Sequence, residues 1–339
     1  MSKAVLKQAD MFKAVFKQAA VFRHIMQAIS TFTEVNFDFG ADGISFQALD
    51  SSHIMIAALR IDGLKLKEYK RNRPVVIGLK VDSVNAVLKL CKQNKAITLS
   101  CKDSDAITFE FAQDGATSTK VELKAVDIDA VAYNIPIGPA IYSVTMASTV
   151  LRNQLRDIKE DAKGTGFGQV ELSVDPKGLT LTMSSQEMGR VEVHYRCTAS
   201  QPTNASMAYD DDDYDADEHE DEDDVENEDD DNADEDDDDD DDKFRSKKRK
   251  TSNAPEKINV ATHVVIECAP DEKPVKMIFS AGNLNKLMKA SVLSKTVRIL
   301  FKGDNFPLQL SYNLEEKDSD VSLGTFDFYI APKIVDEDL

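Results

Sequence analysis

Four short segments of the chain carry apolar side chains at the spacing of one helix face. The stripes are Val21, Phe22, Ile25, Ala28 and Ile29; Val84, Val87, Leu88 and Cys91; Ala147, Leu151, Leu155 and Ile158; and Leu284, Leu287, Met288 and Ser291. A stripe with this period is typical of an amphipathic helix that packs on a core. We therefore predict short helices near 20–31, 82–92, 147–159 and 281–291.

Alternating apolar and polar residues predict β-strands between these helices. Turns at Gly43 and Gly178 each precede one alternating segment. Further strands are predicted at 96–101, 106–111, 296–301 and 307–312. Because the order helix, strands, helix, strands occurs twice, the pattern predicts an α+β fold built from two similar domains.

The repeat divides the chain into segments with different predicted roles. These are an N-terminal extension, 1–10; a first domain, 11–123; a connector, 124–142; and a second domain, 143–339, which a disordered acidic insertion, 200–257, interrupts. The extension nearly duplicates residues 11–20. It is either a dispensable disordered tail or a second copy that competes for the position of the first strand.

The insertion carries most of the excess charge. Residues 210–242 contain 26 of the 61 acidic residues and no Lys or Arg, so the rest of the chain has 41 basic and 35 acidic residues and a net charge of +6 instead of −20. Low apolar content and self-repulsion predict disorder. Three roles stay open: a solubilising spacer, a DNA mimic that screens cations, and a binder of basic proteins such as histones.

A basic run follows the acidic residues and is a candidate nuclear import signal. Its cluster of cations is Lys247, Lys248, Arg249 and Lys250. The alternative is a flank that neutralises the acids beside it. A nuclear location is the expectation.

Several classes of protein are disfavoured by the sequence. No apolar run reaches the roughly 18 residues of a transmembrane helix. The four cysteines and five histidines are scattered without the spacing of zinc ligands, which predicts reduced thiols and neither metal nor cofactor. No nucleophile motif, phosphate-binding loop or zinc-protease motif occurs, so an enzyme is not expected.

Cations lie opposite the apolar stripe on all four predicted helices. On one helix alone, such a face is usually a solvated surface. The same bias on four helices of a repeated fold favours a shared surface for a polyanion that is held through its phosphates. Because no base-reading element is present, binding to DNA is predicted to be independent of base sequence.

Several motifs resemble the proliferating cell nuclear antigen family of DNA sliding clamps. They are Leu49-Asp50-Ser51-Ser52-His53-Ile54, Met11-Phe12, Asp127-Ile128-Asp129 before Ile135-Pro136, and Ile330-Ala331-Pro332-Lys333-Ile334. The resemblance implies a clamp fold, with helices inside and antiparallel sheets outside, that closes as a homotrimeric ring around double-stranded DNA. It implies a non-enzymatic processivity factor for DNA polymerase that docks replication and repair proteins and is opened by a clamp loader. A chaperone for basic proteins, based on the acidic insertion, is the alternative function.

The resemblance also assigns site residues by position. The DNA-facing residues would be Arg23, His24, Lys89, Lys92, Arg152, Arg156, Lys159, Lys286 and Lys289. The pocket for short partner peptides would be Leu49, His53, Ile54, Tyr133, Ile135, Pro136, Pro307, Tyr329, Ala331 and Pro332. Core packing is the alternative for each pocket residue. His53 is the exception, because a core histidine needs partners for both ring nitrogens.

Two features bear on partners. Tyr133 stands where the family usually has leucine, and the connector is two residues longer, which changes the expected peptide preference. Ring closure would pair strand 117–124 of one copy with strand 189–197 of the next, because identical head-to-tail contacts close into a ring when the rotation fits.

Overall fold

The structure is a computed structural model, and it describes most of the chain outside the acidic insertion. The described residues are 10–91, 95–112, 117–129, 131–135, 138–162, 168–185, 189–197, 264–269, 272–303, 306–316 and 321–333. The predictions for the acidic insertion, the import signal and the extension before Asp10 lie outside these residues. So do Lys92 and Pro136.

Antiparallel strands dominate the described residues. The strands are β1, Phe12–Phe16; β2, Glu34–Phe39; β3, Gly43–Leu49; β4, Met55–Asp62; β5, Glu68–Arg71; β6, Val75–Lys80; β7, Ile97–Cys101; β8, Ala106–Ala112; β9, Ser118–Lys124; β10, Tyr142–Ala147; β11, Gln169–Asp175; β12, Gly178–Ser185; β13, Gly189–Arg196; β14, Val265–Cys268; β15, Val275–Ser280; β16, Thr296–Phe301; β17, Leu308–Glu315; and β18, Ser322–Ile330. The α-helices are α1, Ala19–Ala28; α2, Val81–Lys89; α3, Ser148–Ala162; and α4, Ala281–Asn285. Two 3₁₀ helices cover Gly63–Lys65 and Lys286–Val292.

The strands form three antiparallel sheets. Their orders are β5-β1-β7-β8-β9, then β14-β10-β16-β17-β18-β4-β3-β2-β6, then β13-β12-β11-β15. The nine-stranded sheet contains strands from both halves of the sequence, because β18 pairs with β4 from Gly324 opposite Ile61 to Ile330 opposite Met55. This pairing joins the two halves through the backbone.

The predicted repeat is visible in these orders. In the first half, β5-β1-β7-β8-β9 and β4-β3-β2-β6 match β14-β10-β16-β17-β18 and β13-β12-β11-β15 in the second. Gly43 and Gly178 hold the same place in both halves. A Cβ on Gly43 would lie 1.9 Å from the Ile61 carbonyl oxygen, and one on Gly178 would lie 2.5 Å from that of Tyr195. Only glycine therefore allows either strand to approach its neighbour this closely.

The helices form a row on one side of the sheets. α2 packs on α1, α1 packs on the 3₁₀ helix Lys286–Val292, and that helix packs on α3. Each helix turns apolar side chains such as Phe22, Val84 and Leu155 into the core. Within the described residues, no helix is long and apolar enough to span a membrane.

The fourth predicted helix differs from its expected form. The pattern predicts one α-helix near 281–291, whereas the chain forms the five-residue α4 and then the seven-residue 3₁₀ helix. The buried side chains explain the change, because Leu284, Leu287, Ala290 and Leu293 recur every third residue. That spacing matches the three residues per turn of a 3₁₀ helix.

The two halves fill equivalent core positions with different side chains. In the first half, Phe22 lies 6.0 Å from Phe37 and 6.3 Å from Phe109, and Phe37 lies 5.1 Å from Phe46, measured between ring centroids. The strand registers and helix starts match these four rings to Leu151, Leu172, Leu310 and Leu181. These leucines line an apolar cavity of about 20 Å³. Replacing rings by smaller side chains has left the second core less completely filled.

We predict that Leu172→Phe fills part of this cavity and raises the free energy of unfolding by about 0.5–1 kcal/mol. The reverse change at the matched position, Phe37→Leu, should lower it by about 1–2 kcal/mol, because it opens a void among packed rings. Urea unfolding at one fixed protein concentration measures both. If Leu172→Phe lowered the free energy of unfolding as much as Phe37→Leu does, positions 37 and 172 would not be equivalent in the two cores.

Candidate functional site

The exposed cations of the helix row are carried mainly by α2 and α3. Arg152 and Arg156 lie one turn apart on α3, and both are exposed. Lys89 is exposed in the last turn of α2, where a cation also interacts favourably with the helix dipole. Lys159 belongs to α3 as predicted. The helix therefore presents at least two guanidinium groups on the face opposite Leu151 and Leu155.

Arg23 has a structural role in addition to its charge. Its guanidinium Nη2 donates to the Leu88 carbonyl oxygen at 2.6 Å and to the Cys91 carbonyl oxygen at 2.5 Å. The Leu88 carbonyl lies in the last turn of α2 and also accepts from the Cys91 amide at 3.1 Å, and the Cys91 carbonyl lies just beyond the helix. A cation is favourable at this end of a helix. Arg23 thus ties α1 to α2 and is half-buried.

The two predicted cations of the 3₁₀ helix have different surroundings. The Lys286 ammonium donates to Asp50 Oδ2 at 2.7 Å and to Ser52 Oγ at 3.0 Å, and its side chain is only 26% exposed. The Lys289 ammonium donates to Ser30 Oγ at 2.9 Å and belongs to an exposed residue. The Lys286 ammonium therefore pairs with a carboxylate of the first half, whereas the Lys289 ammonium donates to a neutral hydroxyl.

Asp50 organises the loop between β3 and β4. Its side chain is 1% exposed, and Oδ1 accepts from the Ile54 amide at 2.9 Å and the Met55 amide at 2.8 Å. Oδ2 also accepts from the Ser52 hydroxyl. Burial raises the pKa of the Asp50 carboxyl, but the hydrogen bonds from Lys286, Ser52 and the two amides outweigh it and hold the pKa well below its ordinary value.

His53 lies at the tip of that loop. It is exposed and has a φ of 58°, in the left-handed region that residues other than glycine seldom adopt. Such local strain persists only when neighbouring contacts enforce it. The His53 amide donates to the Asp50 carbonyl oxygen at 2.9 Å, so the Asp50 loop supplies one of these contacts.

Three hydrogen bonds fasten the connector to β6, β2 and β3 of the first half. The Val126 amide donates to the Gly78 carbonyl at 2.9 Å, Asn36 Nδ2 donates to the Ile128 carbonyl at 3.1 Å, and the Tyr133 amide donates to Gln47 Oε1 at 3.0 Å. A Cβ on Gly78 would lie 2.2 Å from the Val126 carbonyl oxygen. Glycine at this position therefore permits the connector to lie against β6.

The predicted pocket residues gather where β3, β4, β17 and β18 end beside the connector. Leu49 and Ile54 flank the Asp50 loop, and Tyr329 lies opposite Ile56 in the β18–β4 pair. The Ala331 amide donates to the Ile54 carbonyl at 3.0 Å. Most of the set is half-buried, so these residues lie at the surface rather than in the core.

Tyr329 and Lys302 give this surface a polar edge. Burial and, to a smaller extent, nearby Asp327 raise the pKa of Tyr329 to about 12 against the opposing effect of Arg60. The Lys302 ammonium lies 5.9 Å from the centroid of the Tyr329 ring, within the range of a cation–π contact. The phenol therefore stays protonated at neutral pH.

Sequence reasoning missed four contributors to these surfaces. Gln47, Asn36 and Gly78 hold the connector, and Lys302 covers Tyr329. Gln47 and Asn36 face outward on strands whose alternate residues are buried, so the pattern marks them only as solvated positions. Their role depends on a segment about ninety residues away in sequence.

Comparisons with known proteins agree with this geometry. Residues 11–132 match the family described as "Proliferating cell nuclear antigen, N-terminal domain". The chain is 23% identical over 313 residues to proliferating cell nuclear antigen 1 of Plasmodium falciparum isolate K1, across 90% of this chain and 89% of that protein, and the isolate 3D7 protein gives the same values. The crystal structure of the antigen from Entamoeba histolytica matches with a TM-score of 0.68 and 18% identity, across 96% of this chain and all of that one. The predicted clamp fold is confirmed.

We predict that His24 makes stability depend on pH. Burial lowers the pKa of His24, and the Arg23 guanidinium lowers it further. Because the folded pKa lies below the unfolded value of about 6.5, the stabilising contribution of neutral His24 is present above that pH and is lost as pH falls through the folded pKa. The melting temperature of His24→Gln should therefore fall less than that of the wild type between pH 7.5 and pH 5.5. If the melting temperatures of the two proteins fell in parallel with pH, His24 would not be the source of the pH dependence.

Proposed function

We propose that this chain, a clamp protein similar to proliferating cell nuclear antigen, acts as a DNA sliding clamp that encircles double-stranded DNA as a homotrimeric ring. The observation that carries the proposal is the internal repeat of the sheets. β18 of the second half pairs with β4 of the first, whereas their counterparts β9 and β13 are end strands of their sheets. The same pairing between two copies would give both end strands a partner and would repeat around a ring.

The repeat also supplies the register of this contact. In the intrachain pair, Phe328 lies opposite Ala57. The registers of neighbouring strands match these two residues to Val121 and Val191. Val121 packs partly against the core and Val191 is 37% exposed in the single chain, so placing them opposite one another would bury apolar surface.

Charges on the outer face of the two strands support the same register. With Val121 opposite Val191, Lys120 lies opposite Glu192 and Glu122 lies opposite Arg190. Both antiparallel pairs join opposite charges, each worth roughly 0.2–1 kcal/mol across a strand pair. A register shifted by two residues would place Lys120 opposite Arg190 or His194 instead. The charge pattern was not used to derive the register, so the agreement is independent support.

The helix row is the proposed lining of the ring. Arg152, Arg156, Lys89 and Lys289 offer exposed cations to a phosphate backbone. Backbone contacts are nearly equivalent at every base pair, so they would hold the duplex without fixing its position. A closed ring then needs little affinity, since topology keeps it on the DNA.

The surface around Tyr329 and the connector is the proposed dock for short peptides of partner proteins. Its half-buried apolar residues suit aliphatic and aromatic side chains, and the fixed connector offers a backbone edge beside them. Through this dock the ring would serve as a processivity factor for DNA polymerase and a platform for replication and repair proteins. The role is non-enzymatic, requires a clamp loader to open the ring, and belongs to the nucleus.

We predict that reversing one charge of the Lys120–Glu192 pair weakens the ring and that reversing both restores it. Lys120→Glu places two acids opposite each other, and Glu192→Lys places two cations there, at each of three interfaces. We expect either variant to dissociate at several-fold higher protein concentration, because each changed pair costs roughly 1 kcal/mol. Sedimentation velocity over a dilution series measures the trimer fraction.

Lys124→Glu is the matched control for this experiment. Lys124 is exposed on the same strand and face as Lys120 but is not paired with Glu192 in the proposed register. Combining Lys124→Glu with Glu192→Lys should give no recovery of the trimer. Equal recovery by both double variants would show that net charge, and not this register, governs assembly.

We predict that the ring is held on DNA by topology. After loading onto a nicked circular plasmid, the protein should remain bound through gel filtration. Cutting the plasmid once should release it, because a ring that contacts only phosphates slides off a free end. Retention on the cut and uncut plasmids, measured with labelled protein, tests the encircling function. Equal retention on both would contradict it.

Arg152→Glu tests the helix row in the same assay. It should load less efficiently and lose the uncut plasmid at lower salt, because it puts three carboxylates into the lining. Lys276→Glu is the matched control, since Lys276 is exposed on β15 and pairs with Glu171 at 3.7 Å in a sheet. Equal losses in the two variants would assign the effect to net charge.

A further inference from the structure

We propose that Lys286 is a positioning residue for the partner-peptide surface, and that its main task is to fix the Asp50 loop rather than to hold DNA. The inference rests on the proposed docking function of that surface. It departs from the role expected of Lys286 by its place in the helix row. The evidence is the geometry around Asp50, which joins the helix row to the edge of the docking surface.

The Asp50 carboxylate is the fixed point of this geometry. It is almost fully buried and accepts four hydrogen bonds, of which only the one from Lys286 carries a full positive charge. A buried carboxylate without a paired cation is strongly disfavoured, so Lys286 is the contact that makes the ionised form tolerable. Ser52 strengthens the pair, because its hydroxyl accepts from Lys286 and donates to Asp50.

The Asp50 loop, which Lys286 holds in place, is bonded directly to the docking surface. The Asp50 carboxylate accepts hydrogen bonds from the amides of Ile54 and Met55. The Ile54 carbonyl in turn accepts a hydrogen bond from the Ala331 amide. Two residues later, the Lys333 amide donates to the Ile278 carbonyl at 2.7 Å. Ile278 belongs to β15, which leads through α4 back to Lys286, so these contacts form a closed circuit.

Removing Lys286 breaks this circuit at its only contact between charged side chains. The carboxylate must then draw water or another donor toward itself, and the turn that holds His53 at positive φ loses its support. A peptide that binds Leu49, His53 and Ile54 would have to order the loop as it binds. That ordering cost lowers affinity without removing any atom from the docking surface.

The experiment compares Lys286→Met with Lys289→Met. Lys289 lies on the same 3₁₀ helix, and its ammonium donates to the Ser30 hydroxyl. The probe is a fluorescent synthetic peptide that carries aliphatic and aromatic side chains. We expect Lys286→Met to bind the probe about tenfold more weakly, and Lys289→Met to bind it within twofold of wild type. Retention on uncut plasmid should show the opposite order, with Lys289→Met the more impaired.

Hydrogen exchange separates positioning from a general loss of stability. Lys286→Met should speed exchange of the Ile54 and Met55 amides while leaving amides of β1 and β7 unchanged, and Lys286→Arg should restore both exchange and affinity. Asp50→Asn combined with Lys286→Met should bind no more weakly than Lys286→Met alone. Wild-type affinity together with wild-type exchange in Lys286→Met would overturn the inference while leaving the docking function intact. Failure of the wild-type protein to bind the probe would overturn the docking function and, with it, this inference.

Discussion

Strand pairing across the repeat is the constraint on which the rest of this structure depends. One chain contains two copies of the same sheet arrangement, but it can make the junction between copies only once, at β18 and β4. The other junction surfaces, β9 and β13, are left as end strands. An unpaired strand edge exposes backbone donors and acceptors that another chain can satisfy. In the proposed assembly both end strands gain a partner, and their opposite charges fit a single register.

The equivalent halves have diverged in how their cores are filled. Four phenylalanine rings of the first half contact one another, and their counterparts in the second half are leucines around a small cavity. The backbone arrangement survives this difference because strand registers are set by hydrogen bonds and alternation, and both are indifferent to the size of a buried side chain. Core packing then adjusts stability locally, without altering the junction strands.

Periodicity predicts the helices and some of the strands, but it does not predict their contacts. The stripes and alternating segments predict the positions of all four helices and of six strands, β3, β7, β8, β12, β16 and β17, because burial of one face is a local property of sequence. The 3₁₀ form of the fourth helix was not predicted, although apolar residues stand at every third position from Leu284 to Leu293. The roles of Arg23 and Lys286 could not be predicted this way, since a cation that binds a distant carbonyl or carboxylate has the same local pattern as one that faces solvent. The pairing of Gln47 with Tyr133 is hidden for the same reason.

The division of labour among the cations follows from these contacts. Arg23 neutralises the carbonyl end of α2 and Lys286 neutralises a buried carboxylate, so part of the positive charge of the helix row stabilises the protein itself. The exposed cations of α2 and α3, with Lys289, are the ones proposed to face a polyanion. A lining with fewer available cations binds phosphates more weakly and with a smaller dependence on salt. In the proposed ring, weak binding would suit movement along DNA, because each step would require every phosphate contact to be broken and remade.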